Sequence, residues 1–155
     1  MHIAVCLSLS FLLLAGCAST PAPSSPRPAV KASEGKASHA AEVALTMVGK
    51  PYRYGGSTPK GFDCSGLVNY SFAQVGMRVS RDTRTLREQG VLVRASTLRR
   101  GDLVFFDQEG KKYSHVGIYL GEGVFVHAPS SGGKVRTDSL EAEYWSRHFV
   151  EARRI

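Results

Sequence analysis

Cys64 is the residue of this chain whose surroundings most clearly indicate nucleophilic chemistry. It follows Asp63 in the stretch GFDCSG, and Asp63 can cap a helix that begins at the cysteine. The free backbone N–H groups and the positive dipole end of a helix start stabilise a thiolate. The sequence therefore predicts a reactive Cys64 with a lowered thiol pKa. The alternative is a small, inert cysteine that fills the core.

Two histidines lie on segments whose apolar residues alternate, SHVGIYLG and GVFVHA. If a three-residue loop at 121–123 joins these segments, Leu120 pairs with Val124, and His115 lies diagonally across from His127 on one face of a sheet. The apolar residues between them then point to the other face. This arrangement favours a Cys–His–His site in which His115 is the base and His127 holds its tautomer and orientation.

A metal site is the second chemistry open to the same three residues. Cys64, His115 and His127 could bind Zn²⁺, but the sequence lacks the close ligand spacing of motifs such as C-x-x-C or H-E-x-x-H. We therefore predict no metal and no organic cofactor. His39 and His148 have no partner in the sequence pattern and are interpreted as structural or solvated.

The N-terminal sequence points to export, and it contains two of the three cysteines of the chain. Residues 3–14 form an uncharged apolar run that is too short for a membrane span and is typical of a signal peptide. The run ends in LAGC, with Cys17 at the position where lipoproteins are cleaved and acylated. The sequence thus predicts a signal peptide over 1–16 and lipidation, for example with palmitate, at Cys17. Removal of Cys6 then leaves Cys64 as the only free thiol.

The segment that follows Cys17 is rich in proline, alanine and serine. Residues 18–38 hold four of the seven prolines of the chain, which predicts a disordered tether. The folded domain is expected over 39–155, with Ser38 as a plausible N-cap of its first helix.

Periodicity within that domain changes from helical to strand-like along the chain. Helices are predicted over 40–48, from Cys64 to a stop at Gly76, and around 82–89. Strands are predicted at Leu103–Phe106, His115–Leu120, Val124–Ala128, near Val135 and around Phe149–Ala152. Helices followed by an antiparallel sheet define an α+β fold.

The balance of charge is basic. A net charge of +7 and a pI near 9.6 suggest an anionic partner, and nucleic acid, anionic lipid and anionic cell-wall polymer all qualify. A solvated basic surface without a specific partner explains the charge equally well.

Four segments carry a resemblance that covers nearly all of 40–155. YRYGGSTPKGFDCSGLV, LRRGDLVFF, HVGIYLG and FVHAPSSGGKV resemble the motifs of NlpC-type, papain-like cell-wall peptidases, especially the lipoprotein murein endopeptidases of Gram-negative bacteria. The resemblance implies N-terminal helices packed on an antiparallel sheet of five or six strands. It also implies that Cys64 attacks, that His115 is the base and that His127 is the polar residue on the next strand.

Further residues and partners are implied by the same resemblance. Tyr52 is expected to stabilise the oxyanion with the Cys64 backbone N–H, and Asp63 and Ser65 to border the substrate pocket. The expected substrates are peptidoglycan stem peptides and the expected site of action is the periplasmic face of the outer membrane, with Ala18 after the lipidated cysteine favouring that sorting. The protein is expected to be a monomer that does not bind nucleic acid.

The resemblance leaves the reaction open between several alternatives. Cleavage of the D-alanyl–diaminopimelate cross-link is favoured, and the γ-D-glutamyl–diaminopimelate bond is the alternative. A murein-binding lipoprotein without activity and an acyltransferase or amidase on a related fold are the rival functions.

Overall fold

The computed structural model describes residues 28–108, 110–131 and 133–155. Its helices are α1 (Pro28–Thr46), α2 (Cys64–Gln74), α3 (Thr83–Gln89) and α4 (Glu143–His148), with a 3₁₀ turn at Ala95–Thr97. Its strands are β1 (Ser57–Thr58), β2 (Gly61–Phe62), β3 (Val91–Val93), β4 (Leu103–Gln108), β5 (Lys111–Gly121), β6 (Val124–His127), β7 (Arg136–Ser139) and β8 (Phe149–Arg154). The predicted signal peptide (1–16), the predicted lipid site at Cys17 and the first part of the tether (18–27) lie outside the described residues.

Six of these strands form one antiparallel sheet in the order β3-β8-β4-β5-β6-β7, and β1 pairs with β2 in a separate hairpin. The predicted α+β fold with five or six antiparallel strands is confirmed. Strand β5 lies between β4 and β6, so His115 is carried by an interior strand of the sheet, which begins four residues before it at Lys111.

The sheet has a hydrophobic cluster on each side. On one side α1 and α2 pack through Ala40, Leu67 and Phe72 against strand residues such as Val116 and Ile118, all fully buried. A second, smaller cluster on the other side contains Val104, Phe106, Phe125, Trp145 and Ala152. Alternation along β5 and β6 thus separates aliphatic residues, which meet the helices, from histidines, which meet the aromatic cluster.

Helix α1 begins ten residues before the predicted N-cap at Ser38, so the prediction of disorder is wrong for residues 28–38. A stripe of buried alanines at helical spacing, Ala37, Ala40, Ala41 and Ala44, packs this helix on the domain, and one turn earlier Glu34 forms ion pairs with Arg99 and Arg154. Gly101, with a φ of 94°, lies so close to the helix that a Cβ there would stand 2.4 Å from the Ala37 carbonyl carbon. None of the helices in the described ranges is long and apolar enough to cross a membrane.

The hairpin of β5 and β6 keeps the predicted register by a different route. Ile118 pairs with Val126 and Tyr119 with Phe125, as predicted, but the turn has two residues and Gly121 pairs with Val124. A bulge between Tyr119 and Gly121 places one extra residue in β5. This extra residue compensates for the shorter turn, so the pairing of the rest of the hairpin is unchanged.

Removal of the first turns of α1 is expected to destabilise the domain. A chain starting at residue 39 loses the buried Ala37 side chain and the exposed ion pair between Glu34 and Arg99. Urea denaturation should therefore show a free energy of unfolding lower by about 1–3 kcal/mol than that of a chain starting at residue 28. Equal midpoints for the two chains would show that the early turns of α1 contribute nothing to the fold.

Candidate active site

Cys64 is the first residue of α2, and Asp63 caps the helix as predicted. The Asp63 carboxylate accepts hydrogen bonds from the Gly66 N–H at 2.7 Å and from the Gly55 N–H at 2.9 Å. Gly66 is required here because a Cβ at this position would stand 1.9 Å from the Gly56 carbonyl oxygen. The loop before α2 therefore closes tightly on the helix start and holds the cysteine in place.

The thiol is partly exposed in a cleft of about 480 Å³. Tyr52 and Ser65 line the same cleft, so the structure brings these predicted site residues together with Cys64. The backbone N–H groups of Val116 and Ser65 and the hydroxyl of Thr83 lie within hydrogen-bonding reach of the sulfur. Because Val116 directly follows His115, the thiol lies against the strand that carries the first histidine.

The prediction of a lowered thiol pKa is wrong. Burial, followed by the negative charge of Asp63, raises the pKa of Cys64 above its usual value, and hydrogen bonds from Val116, Ser65 and Thr83 only partly oppose this. The helix start favours a thiolate, but it acts on a sulfur that has lost most of its water. A neutral thiol is therefore the resting form of Cys64 at neutral pH.

His115 and His127 form the predicted pair. The His115 Nε2 and His127 Nδ1 atoms are 2.8 Å apart, and both side chains are buried. Gly117, on β5 between them, permits this approach because a Cβ there would stand 2.6 Å from the Phe125 ring. The His pair therefore depends on a glycine as well as on the register of two strands.

Asp138 completes a chain of hydrogen bonds that the sequence analysis missed. Its Oδ2 atom lies 2.9 Å from His127 Nε2 and accepts hydrogen bonds from Trp145 Nε1 at 2.9 Å and Arg136 Nε at 3.0 Å. Burial alone would raise the pKa of Asp138, but hydrogen bonds from Arg136, His127 and Trp145 hold it below its usual value. The alternation of residues along the strand predicted near Val135 was the signal that could have found it.

The ionised Asp138 determines the tautomers of both histidines. A carboxylate can only accept, so His127 must donate from Nε2 and keep Nδ1 unprotonated. His127 Nδ1 then accepts the proton of His115 Nε2. The remaining nitrogen of His115, Nδ1, is left with a free lone pair, as a base requires.

Aromatic side chains enclose the histidine pair. The Trp145 ring stacks on His115 at 5.5 Å between ring centroids and meets His127 edge-on at 4.7 Å. Burial, followed by repulsion from His127 and Arg136, holds the pKa of His115 well below its usual value. Burial also lowers the pKa of His127 to about 4, even though Asp138 acts in the opposite direction. Both rings are therefore neutral at pH 7.

Tyr52 lines the cleft together with Cys64, so its hydroxyl is available there as a hydrogen-bond donor. Its backbone N–H donates to the Gly133 carbonyl at 2.7 Å, which fixes the start of the loop before α2. Burial, followed by the charges of Cys64 and Asp63, raises the pKa of the Tyr52 hydroxyl. This hydroxyl consequently remains protonated and can donate to an oxyanion formed in the cleft.

The histidines that the sequence analysis set aside lie away from the cleft. His39 is exposed on α1, and His148 is partly exposed, with its Nδ1 atom 2.6 Å from the Tyr144 carbonyl oxygen. In the described ranges no cluster of three or more His, Cys, Asp or Glu side chains is arranged to hold a metal ion. Both ring nitrogens of His127 are already bonded to protein atoms, so this residue has no lone pair for a metal.

The helices packed on a six-stranded antiparallel sheet are the papain-like architecture that the motifs implied. Residues 49–154 match the NlpC/P60 family, and the chain belongs to this family, as its motifs predicted. The chain is 42% identical over 134 residues to Murein DD-endopeptidase MepH of Escherichia coli K12, an alignment that covers 80% of this chain and 49% of that protein. It is 46% identical over 108 residues to Murein DD-endopeptidase MepS/Murein LD-carboxypeptidase of the same strain, covering 69% of this chain and 56% of that protein.

The solved structures agree with this assignment. An NlpC/P60 family protein from Bacillus cereus superposes with a TM-score of 0.71 at 31% identity, over 76% of this chain and 39% of that protein. The chain spans about half the length of the curated relatives it matches.

The buried histidines predict a loss of stability in mild acid. In the unfolded chain His127 binds a proton near pH 6.5, whereas in the folded protein it does so only near pH 4. The unfolded state holds more protons between these values, so lowering the pH from 6.5 to 4 should reduce the free energy of unfolding by roughly 3 kcal/mol. His115 acts in the same direction.

Urea denaturation at a series of pH values measures this effect. The variant His127→Asn should show a flatter pH dependence over this window, and His39→Gln, at an exposed position, should leave it unchanged. An identical slope for His127→Asn and the parent chain would contradict the assignment.

Proposed function

We propose that this chain is a cysteine peptidase that hydrolyses an amide bond in the stem peptides or cross-links of peptidoglycan, with Cys64 as nucleophile. The observation that carries the proposal is the half-buried thiol at the start of α2, placed against the strand of His115, whose ring is bonded to His127. The similarity to two murein DD-endopeptidases supports the substrate class.

The reaction begins from a neutral thiol and a neutral imidazole. When substrate enters the cleft, the Cys64 sulfur transfers its proton to His115 Nδ1 and attacks the carbonyl carbon of the amide. Burial disfavours both charges in the resting site. The ion pair is therefore formed at the moment of attack, when the developing oxyanion can be stabilised.

Two donors serve the oxyanion of the tetrahedral intermediate. The Cys64 backbone N–H, at the first position of α2, has no acceptor within the helix, and the Tyr52 hydroxyl lines the same cleft. When the intermediate collapses, His115 returns its proton to the leaving amine and the acyl group remains on Cys64 as a thioester. Water then attacks the thioester, with His115 as base, and releases the carboxylic acid.

His127 and Asp138 act through His115. Their hydrogen bonds hold His115 in the tautomer with a free Nδ1, and the imidazolium formed during attack donates to His127. Arg136 shares the Asp138 carboxylate and so limits how strongly its charge favours a protonated histidine. The resting base consequently remains neutral down to mildly acidic pH.

The D-alanyl–diaminopimelate cross-link is the favoured bond, supported by the DD-endopeptidase names of the two E. coli relatives. Analysis of the products from purified cross-linked muropeptides tests this choice. Monomeric muropeptides with intact stems support cross-link cleavage. Fragments cut after the glutamate would instead assign the γ-D-glutamyl–diaminopimelate bond, and unchanged substrate would indicate a binding protein.

We also propose that the protein is lipid-anchored through Cys17 at the periplasmic face of the outer membrane. The apolar run and the LAGC sequence that end at this cysteine support the anchor, and Ala18 supports the sorting. Two or three acyl chains on one residue would hold the protein firmly, since each buried methylene contributes about 0.8 kcal/mol.

Substitution of the site residues should separate the nucleophile and base from the groups that orient them. Cys64→Ala and His115→Ala should each lower kcat on muropeptides by at least about 10³-fold, because thiol and imidazole act as a unit. His127→Asn and Asp138→Asn should cost less, about 10²-fold, because they act through the base. Chromatography of the released peptides measures all four.

His148→Gln is the matched control, because the partly exposed His148 does not line the cleft and contacts only Tyr144, through its carbonyl and its ring. It should retain the activity of the parent chain. A Cys64→Ala variant that releases peptides at the parental rate would rule out this mechanism.

Replacement of the predicted lipid site tests the anchor. Cys17→Ala should leave the protein soluble or unprocessed after membrane fractionation, because no acyl chain can be attached to alanine. Mass spectrometry of the mature chain gives the independent readout. Unchanged fractionation and mass would contradict lipidation at Cys17.

A further inference from the structure

Trp145 lies against both histidines of the site and is almost completely buried. It is carried by α4, which lies between β7 and β8 in the chain, and it is only 5% exposed. Its indole ring stacks on His115, with 27° between the ring planes and 5.5 Å between their centroids. The same indole meets His127 at 83°, so the two histidines contact it in different ways. The ring that lies nearly parallel to the indole face is that of the proposed base.

The indole is held in this orientation from several sides. Its Nε1–H donates to Asp138 Oδ2 at 2.9 Å. The rings of Phe106 and Phe125 pack against it, with centroid distances of 4.8 Å and 5.2 Å. Trp145 cannot turn away from His115 without losing the hydrogen bond and both ring contacts. The stacked geometry is therefore fixed before any substrate arrives.

A positive charge on His115 has little support from the charged groups around it. Arg136 and a protonated His127 both act against it. The Asp138 carboxylate bonds to His127 and to Arg136, and the His127 ring separates it from His115. Among these neighbours of His115, the indole face is the one that both stacks on the ring and carries negative charge density.

The face of an aromatic ring attracts a cation that lies within about 6 Å of its centroid, and the attraction is strongest for tryptophan. We propose that Trp145 is a positioning residue whose indole face stabilises the imidazolium that His115 becomes when it accepts the Cys64 proton. The inference rests on the proposed function, because His115 gains a charge only if it acts as the base. The support is needed most as the C–S bond forms, since the negative charge of the sulfur then passes to the oxyanion.

Trp145 acts on this charge in two opposite ways. By excluding water it disfavours a charged imidazole, so His115 is neutral at rest. Its electron-rich face offsets part of that cost once the charge forms. A test must therefore alter the charge distribution of the ring and leave its size unchanged. The sequence permits such a test, because Trp145 is the only tryptophan of the chain and a fluorinated tryptophan supplied during expression alters this side chain alone.

Proteins that carry tryptophan with one, two or three ring fluorines provide the test. Fluorine withdraws electron density from the ring face, nearly preserves its size and leaves the N–H able to donate to Asp138. Each added fluorine should lower kcat on muropeptides, by about 3- to 30-fold over the series. The rate at which iodoacetamide alkylates Cys64 should fall in parallel, because the thiolate forms by proton transfer to His115. Mass spectrometry of the peptide that contains Cys64 measures this rate without substrate.

The same series separates the ring face from the other contacts of Trp145. Fluorine makes the indole N–H a better donor, so a role confined to holding Asp138 or filling the core predicts no stepwise decline. Trp145→Phe, expressed with each fluorinated tryptophan, contains no fluorine and should give one constant rate. Thermal unfolding of every protein verifies that the fold is retained.

The outcomes are distinct for this inference and for the proposed hydrolysis. A stepwise decline of the alkylation rate supports the role of Trp145, even if the parent chain cuts none of the muropeptides and the proposed hydrolysis fails. Constant or rising rates along the fluorine series would overturn it. Alkylation of Cys64 that is as fast in His115→Ala as in the parent chain would refute the proposed base and this inference together.

Discussion

The hydrogen bond between the rings of His115 and His127 is the contact on which the rest of the site depends. At 2.8 Å it requires β5 and β6 to keep one register, and the bulge before Gly121 preserves that register across a short turn. It also requires Gly117, since a side chain there would meet the Phe125 ring. Helix α2 brings the Cys64 sulfur to the same strand, within hydrogen-bonding reach of the Val116 backbone N–H.

Burial makes this contact costly as well as useful. The aromatic cluster around Trp145 excludes water from both imidazoles and lowers their pKa values, while the loss of water around Cys64 raises the pKa of the thiol. A site that is neutral at rest avoids the loss of folding free energy that desolvation of an ion pair would cause. It also keeps the thiol weakly reactive at rest, because the thiolate is the form that is readily oxidised.

How much of the site the sequence could predict depends on how far apart along the chain the interacting residues lie. Cys64, His115 and His127 depend on a helix cap and on alternation within one hairpin, which are patterns of neighbouring residues. Asp138 bonds to a histidine 11 residues away, and Arg81, which lines the cleft, reaches Asp63 across 18 residues, so their partners emerge only from the folded chain. The thiol pKa was predicted in the wrong direction for the same reason, because a helix start is local whereas desolvation is tertiary.

The early start of helix α1 bears on the proposed lipid anchor, because it limits how far the folded domain could lie from the membrane. With a lipid on Cys17, only the ten residues 18–27 separate the anchor from Pro28, and ten residues span at most about 35 Å when fully extended. Had the whole segment 18–38 been free, its reach would have been roughly twice as long. With the shorter tether, the distance of a bond from the membrane would select substrates as well as their chemistry does. Only the wall strands nearest to the membrane would be cut.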